Sequence, residues 1–273
     1  MELMWFLLLA VGATIEGRLL WTHKEFDPHN YRNGMHALTS NDYDHGSGSV
    51  VTDPDGGSNH VLRVWYEKGR YSSHGPNEGV QFFATPTEDH SIMTFSYDVY
   101  FDKNFDFRRG GKLPGLFGGW TNCSGGRHSD NCFSTRFMWR ADGDGEVYAY
   151  IQDSSHQVHG FCDHAVCNSI KGYSLGRGKW RFKRGVWQNI AQSVRVNTPG
   201  KTDGVIKVWY EGKLVYQIDN INIRAKSSVD VDGIFFSTFF GGRDSSWAPT
   251  HDCYSYFKNF ALSTDSGSPT IIG

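Results

Sequence analysis

A chain of 273 residues, 38% hydrophobic and 21% charged, is long enough to bury a sizeable core and has the polarity of a globular protein. Its formal charge of −2 offers no overall basic excess for nucleic acid, and the composition excludes intrinsic disorder, coiled coil, collagen and a multispan membrane protein. The 19 Phe, 13 Tyr and 9 Trp, beside 32 Gly and only 8 Pro, point to twisted sheets and tight turns rather than helices.

The chain opens on the apolar run Met4-Trp5-Phe6-Leu7-Leu8-Leu9-Ala10-Val11-Gly12-Ala13, too short to span a bilayer and followed by small residues. It predicts a secretory leader over residues 1–17, cut after Ala13 or Gly17, although Glu2 stands where a basic residue is usual. Residues 18–273 then form one domain. Alternating apolar and polar positions predict strands at residues 61–66, 94–102, 133–140, 146–152, 187–196, 205–210, 213–218, 233–240 and 254–262. Phe95, Tyr97, Val99 and Phe101 share one face, and Glu211-Gly212 is a hairpin turn. No helical period, repeat or linker interrupts this pattern. The expected fold is all-β, a single-domain antiparallel β-sandwich of jelly-roll type.

Cysteines follow the export expectation. Two local disulfides, Cys123–Cys132 and Cys162–Cys167, leave Cys253 as a buried thiol. The histidines 156, 159 and 164 near the second pair fit no closed zinc site well, so no metal and no cofactor are expected. Asn122-Cys123-Ser124 is the one glycosylation sequon. Residues 103–140 carry seven basic side chains against two acidic ones, and residues 171–184 carry six against none. In an otherwise acidic exported chain, two such clusters suit a polyanionic glycan as partner, with neither nucleic acid nor membrane. No long apolar edge asks for assembly, so a monomer is expected.

The hairpin 133–152 carries the chemistry. If Arg140 pairs with Glu146, even-numbered residues meet even-numbered ones. Ser134, Arg136, Met138, Tyr148, Tyr150 and Gln152 then share a polar wall, with Arg136 opposite Tyr150, while Phe133, Phe137, Trp139, Val147, Ala149 and Ile151 face the core. The loop 141–145 between the strands is a turn, with too few ligands for calcium. No pair of carboxylates shares a strand face, which disfavours glycoside hydrolysis. Cations beside tyrosines suit another reaction, β-elimination of a uronate. A cation neutralises the carboxylate, a base takes the C5 proton and an acid protonates the departing O4. Neighbouring cations are expected to favour the phenolate, readying a tyrosine as base.

The stretch Gly110-Gly111-Lys112-Leu113-Pro114-Gly115-Leu116-Phe117-Gly118-Gly119, with Phe133-Ser134-Thr135-Arg136 and Val147-Tyr148-Ala149-Tyr150, resembles polysaccharide lyase family 14, nearest the molluscan, abalone-type alginate lyases. The resemblance covers the whole chain after the leader. It implies a jelly-roll enzyme cleaving alginate by β-elimination, inside the chain and with a preference for polymannuronate. It puts the family's functional lysine on Lys112, its arginine on Arg136, its serine on Ser134, its tyrosines on Tyr148 and Tyr150, and a histidine on His128. Lys112, Arg136, Tyr148 and Tyr150 are expected to act in catalysis, Lys112 being an alternative base, and Ser134 and His128 to position substrate. Trp120, Tyr173 and Trp180 are candidate sugar-stacking residues for which core packing is the first expectation. A non-catalytic glycan-binding module and a lyase for another polyuronate, such as glucuronan, are the competing readings.

Overall fold

The computed structural model describes residues 17–72, 78–168, 171–264, 269 and 271, so residues 1–16 of the expected leader lie outside the described residues. Among the described residues sixteen strands follow one another: β1 (Leu19–His23), β2 (Ala37–Tyr43), β3 (Gly48–Thr52), β4 (His60–Tyr66), β5 (Gly79–Ala84), β6 (Ile92–Phe101), β7 (Gly110–Gly119) and β8 (Cys132–Arg140). The second half supplies β9 (Gly145–Tyr150), β10 (Ala165–Val166), β11 (Tyr173–Leu175), β12 (Trp187–Arg195), β13 (Gly204–Tyr210), β14 (Lys213–Ile221), β15 (Gly233–Phe240) and β16 (Cys253–Ser263). One antiparallel sheet runs β14-β13-β12-β6-β16-β4-β3 with β1 on β16, and the other runs β10-β11-β9-β8-β7-β15-β5-β2. The two face each other as the expected jelly-roll sandwich.

All nine expected strands are present. Phe95, Tyr97, Val99 and Phe101 are fully buried between the sheets, and Glu211 and Gly212 both take positive φ, as the tightest hairpin turn requires. Aromatic rings hold the layers together edge to face. Tyr66 meets Phe105, Trp139 and Phe240, while Phe260 meets Phe95 and Tyr97. Both expected disulfides form, and burial pushes the remaining Cys253 thiol up to about 12. Among the described residues no helix is long and apolar enough to cross a membrane.

Strand β7 is absent from the pattern reading because five of its ten residues are glycine and one is proline. Packing explains that composition. A Cβ on Gly111 would stand 2.1 Å from the Trp139 ring, and one on Gly118 would stand 1.9 Å from the Asp230 carbonyl oxygen. Side chains are excluded where β7 passes closest to its neighbours.

Candidate active site

Strand β7 lies between β8 and β15, and its ladder shifts by one residue between Leu113 and Gly115. Pro114, which has no N–H to donate, is the extra residue of this bulge. The bulge changes which face the strand presents. Leu113 and Leu116 both enter the core, while Phe117 joins Phe83 and Phe235 in a separate cluster outside it. Lys112, opposite Met138 on β8 and Phe239 on β15, is placed on the outer face.

The β8–β9 hairpin keeps the expected faces but not the expected register. Ser134 pairs with Tyr150, Arg136 with Tyr148 and Met138 with Glu146, so Arg136 is opposite Tyr148 rather than Tyr150. The loop is shorter than the expected 141–145. It is a turn over Ala141–Gly143 closed by Arg140 N–H donating to the Asp144 carbonyl, with Asp142 and Gly143 both at positive φ. A stagger of two residues leaves every side chain on its face, so alternation cannot detect it. Phe133, Phe137, Trp139, Val147, Ala149 and Ile151 all join the core as expected.

Lys112, Arg136 and Tyr148 form the centre of the outer face. The Lys112 ammonium stands 4.1 Å from the Tyr148 ring centroid and donates to the Met138 thioether at 2.9 Å, a weak acceptor. Only 8% of Lys112 is exposed. Burial, then the charges of Arg136 and Arg140, hold its amine well below the usual lysine range. Arg136 lies 4.2 Å over the Phe235 ring and donates through Nη1 to Ser237 Oγ at 2.9 Å, while its buried Nε has no partner among the described residues. Burial pulls its guanidinium down to about 10, which leaves it charged at neutral pH. Tyr148 departs from expectation. Burial pushes its phenol up to about 12, and the opposing pull of Arg140 does not reverse the shift, so Tyr148 keeps its proton.

The disulfide loop Cys123–Cys132 docks on the other end of this face. Gly126 N–H donates to the Tyr150 phenol oxygen at 3.2 Å, and Ser134 Oγ donates to the Cys123 carbonyl at 2.6 Å. His128 packs 5.4 Å from the Tyr150 ring, with Nδ1 3.0 Å from the Ile151 carbonyl and Nε2 3.1 Å from the Lys171 carbonyl. Both ring nitrogens thus face backbone carbonyls, and the one that carries the proton donates, which ties the loop to the chain just after β9 or just before β11. Asn122 is half-buried at the foot of the loop. Replacing both cysteines by serine is expected to cost about 2 kcal/mol of stability, typical for so short a loop. Turnover should fall at least about tenfold as Tyr150 loses its anchor, a loss set by one to two kcal/mol of misplaced hydrogen bonding. Thermal melting and initial rates measured together check this. Unimpaired turnover would detach the loop from the site.

Glu146, fully buried on the same face, is a site residue whose role the sequence reading missed. Its carboxylate accepts from Arg140 Nε at 2.8 Å, from Arg177 Nε at 2.6 Å and from Ser174 Oγ. Asp144 pairs with Arg181 at 2.8 Å. Two of the three acids in this hairpin, Asp144 and Glu146, are therefore occupied by arginines of the two basic clusters. Ser237 on β15 and Gln81 on β5 extend the polar wall, Ser237 donating to Gln81 Oε1 at 3.0 Å. Their signal was available in the parity of those strands, but neither lies next to a recognisable motif. Of the stacking candidates, Tyr173 and Trp180 are core residues, each 4% exposed, whereas Trp120 is 63% exposed.

A family profile for polysaccharide lyase 14 matches residues 54–260. The structure is similar to that of a marine alginate lyase of this family from Aplysia kurodai, 39% identical, covering 91% of this chain and all of that one with a TM-score of 0.83. An alginate lyase from a Chlorella virus is 27% identical over 80% of this chain and 89% of its own, with a TM-score of 0.66. A curated relative, exolysin of Paramecium bursaria Chlorella virus 1, is 25% identical over 203 residues, and the match spans 64% of this chain but only 30% of the length of that protein.

Proposed function

Because the chain belongs to polysaccharide lyase family 14, we propose that it is a secreted, monomeric lyase that cleaves alginate within the chain by β-elimination, preferring mannuronate. One observation carries this reading: a buried amine of low proton affinity adjoins a phenol that stays protonated, with a cation beside them. The Arg136 guanidinium, whose Nε has no partner among the described residues, neutralises the substrate carboxylate, which makes the C5 proton acidic. Lys112, in its neutral form, takes that proton. The electrons of the C5–H bond form the C4=C5 double bond as the C4–O4 bond breaks, and Tyr148 gives its proton to O4. Proton return from the Lys112 ammonium to the Tyr148 phenolate, its neighbour, restores the site. Tyr150, Ser134 and the His128 loop hold the sugar and the face that receives it.

Acceptor and donor side by side suit mannuronate, in which the C5 proton and O4 lie on the same side of the ring. Strands β9, β8 and β7 are interior to their sheet, with further strands on both sides, which supports attack within a polymer rather than at its end. No resident cofactor is needed for these steps. Purified protein mixed with sodium alginate is expected to give a steady rise in ultraviolet absorbance from the conjugated C4=C5 product, faster on mannuronate-rich polymer. A flat trace from folded protein would overturn the reading and leave a glycan-binding module.

A further inference from the structure

The Lys112–Tyr148 pair is one end of a longer line of cations and rings. Arg140 lies 5.8 Å from the Tyr148 ring centroid and 5.9 Å from that of Trp247, and Arg109 lies 5.2 Å over the same indole. The indole belongs to a short turn, Ser245–Trp247, which Arg109 Nη1 holds through Ser246 Oγ at 2.9 Å and Arg108 Nη2 through the Ser246 carbonyl at 3.1 Å. Trp247 also lies against backbone. A Cβ on Gly242 would fall 2.0 Å from its ring, so only glycine there admits the indole in this position. The line is therefore built into the fold.

Beyond Trp247 the line opens into a cleft of about 370 Å³ lined by Arg108, Arg109 and Arg184 among others. Asp106 and Asp142 also line it, but Asp106 is occupied by Thr250, which donates to it through both N–H and Oγ1. Arg184 spends its Nε on the Phe105 carbonyl and packs 4.5 Å over Phe107. Arg108 Nε, buried and without a hydrogen-bond partner among the described residues, is ion-paired with the Asp106 carboxylate at 4.0 Å, so Arg109 carries the uncompensated charge. Arg109 is exposed and faces the cleft from above the indole.

We propose that Arg109, spaced from Arg140 by Trp247 and backed by the Arg108–Asp106 pair, forms a distal subsite that binds the carboxylate of a uronate several residues along the chain from the one held at Lys112. A polyuronate repeats its carboxylate on every sugar, and a ladder of guanidiniums separated by rings receives such a repeat without drawing the cations together. The inference rests on the polyuronate reading of the site and adds a length requirement to it. Chains too short to reach Trp247 bind only the inner groups, and longer chains gain a charge-assisted hydrogen bond.

Oligomannuronates of increasing length, with Lys112→Met in the background to prevent turnover, provide the test by calorimetric titration, and the same series with active enzyme gives kcat/KM. Affinity is expected to step up about tenfold at one length, and Arg109→Ala to abolish that step while leaving the shortest ligand unaffected. Ser246→Ala keeps the cation and removes its tie to the turn, so it should retain the step. If Arg109 only holds the turn in place, the two variants will behave alike and the subsite falls. A step that survives Arg109→Ala also overturns it. A step lost in Arg109→Ala without ultraviolet-detected turnover by the unmodified protein would uphold the subsite and reject the lyase reading instead.

Discussion

Lys112→Met is expected to lower kcat by about 10²- to 10⁴-fold, the range of a lost general base, while leaving the protein as stable as before or more so. The two halves of this prediction have one cause. The Lys112 amine is buried against the Met138 thioether and the Tyr148 ring, within the field of the Arg136 and Arg140 guanidiniums, so its charged form is disfavoured in the folded state. A methionine of similar length places an apolar group where the surroundings already suit one. The unfolded chain binds the extra proton between the lowered folded value and the ordinary 10.5, so stability should climb as pH rises through that window. In Lys112→Met the climb should shrink. Turnover of the unmodified enzyme should rise with pH as Lys112 loses its proton, then decline from about pH 10 upward as Arg136, at about 10, and Tyr148, at about 12, lose theirs. Rates and melting temperatures across pH check all of this. A variant retaining more than about a tenth of kcat would remove Lys112 as base, since a tenth is below what general-base catalysis supplies.

Glu146→Gln is expected to be the most destabilising single change in the site, at about 3 kcal/mol, the low end for breaking a buried pair because Arg177 reaches solvent. The carboxylate is wholly buried and serves two guanidiniums and a hydroxyl. The amide that replaces it keeps the shape but leaves Arg140 without a counter-charge. Such a loss lowers the melting temperature by about 6–12 °C in a domain of this size. There is also a catalytic signature that simple loosening would not produce. Glu146 raises the proton affinity of Lys112, so its removal should shift the acid limb of the pH–rate profile to lower pH. Differential scanning calorimetry and the rate profile read the two effects separately. A melting point within about two degrees of the unmodified protein, under 1 kcal/mol at this size, would mean the arginines find other partners.

Much of the candidate site was legible because alternation is a strong constraint. Ser134, Arg136, Met138, Tyr148 and Tyr150 were assigned to one face of one hairpin by parity alone, and the pairing in the structure preserves that parity. The stagger was not legible. Reading Arg140 against Glu146 anticipated a contact that exists between side chains but misplaced the backbone partner, because long side chains reach two residues along a ladder. Lys112 came from the family resemblance, since its strand has no alternation to detect. The glycines that erase the pattern are there because Trp139 and the Asp230 carbonyl occupy the space their side chains would need.

The ionisation states divide in the same way. Neighbouring cations suggested a phenolate, and the cations are indeed there, 4.1 Å from Tyr148 in the case of Lys112. Desolvation acts on every buried group, however, and opposes whichever form is charged. It therefore lowers the lysine and raises the tyrosine together, against the phenolate that charge proximity alone suggested. The sequence by itself determined the sandwich, the disulfides, the family and the residues that share the outer face of the hairpin, because these depend on local pattern and residue identity. Only the tertiary structure decided the register, the Glu146 pairing, the line through Trp247 and which group holds the proton. Each of those depends on how much water and which distant neighbours the fold leaves around a side chain.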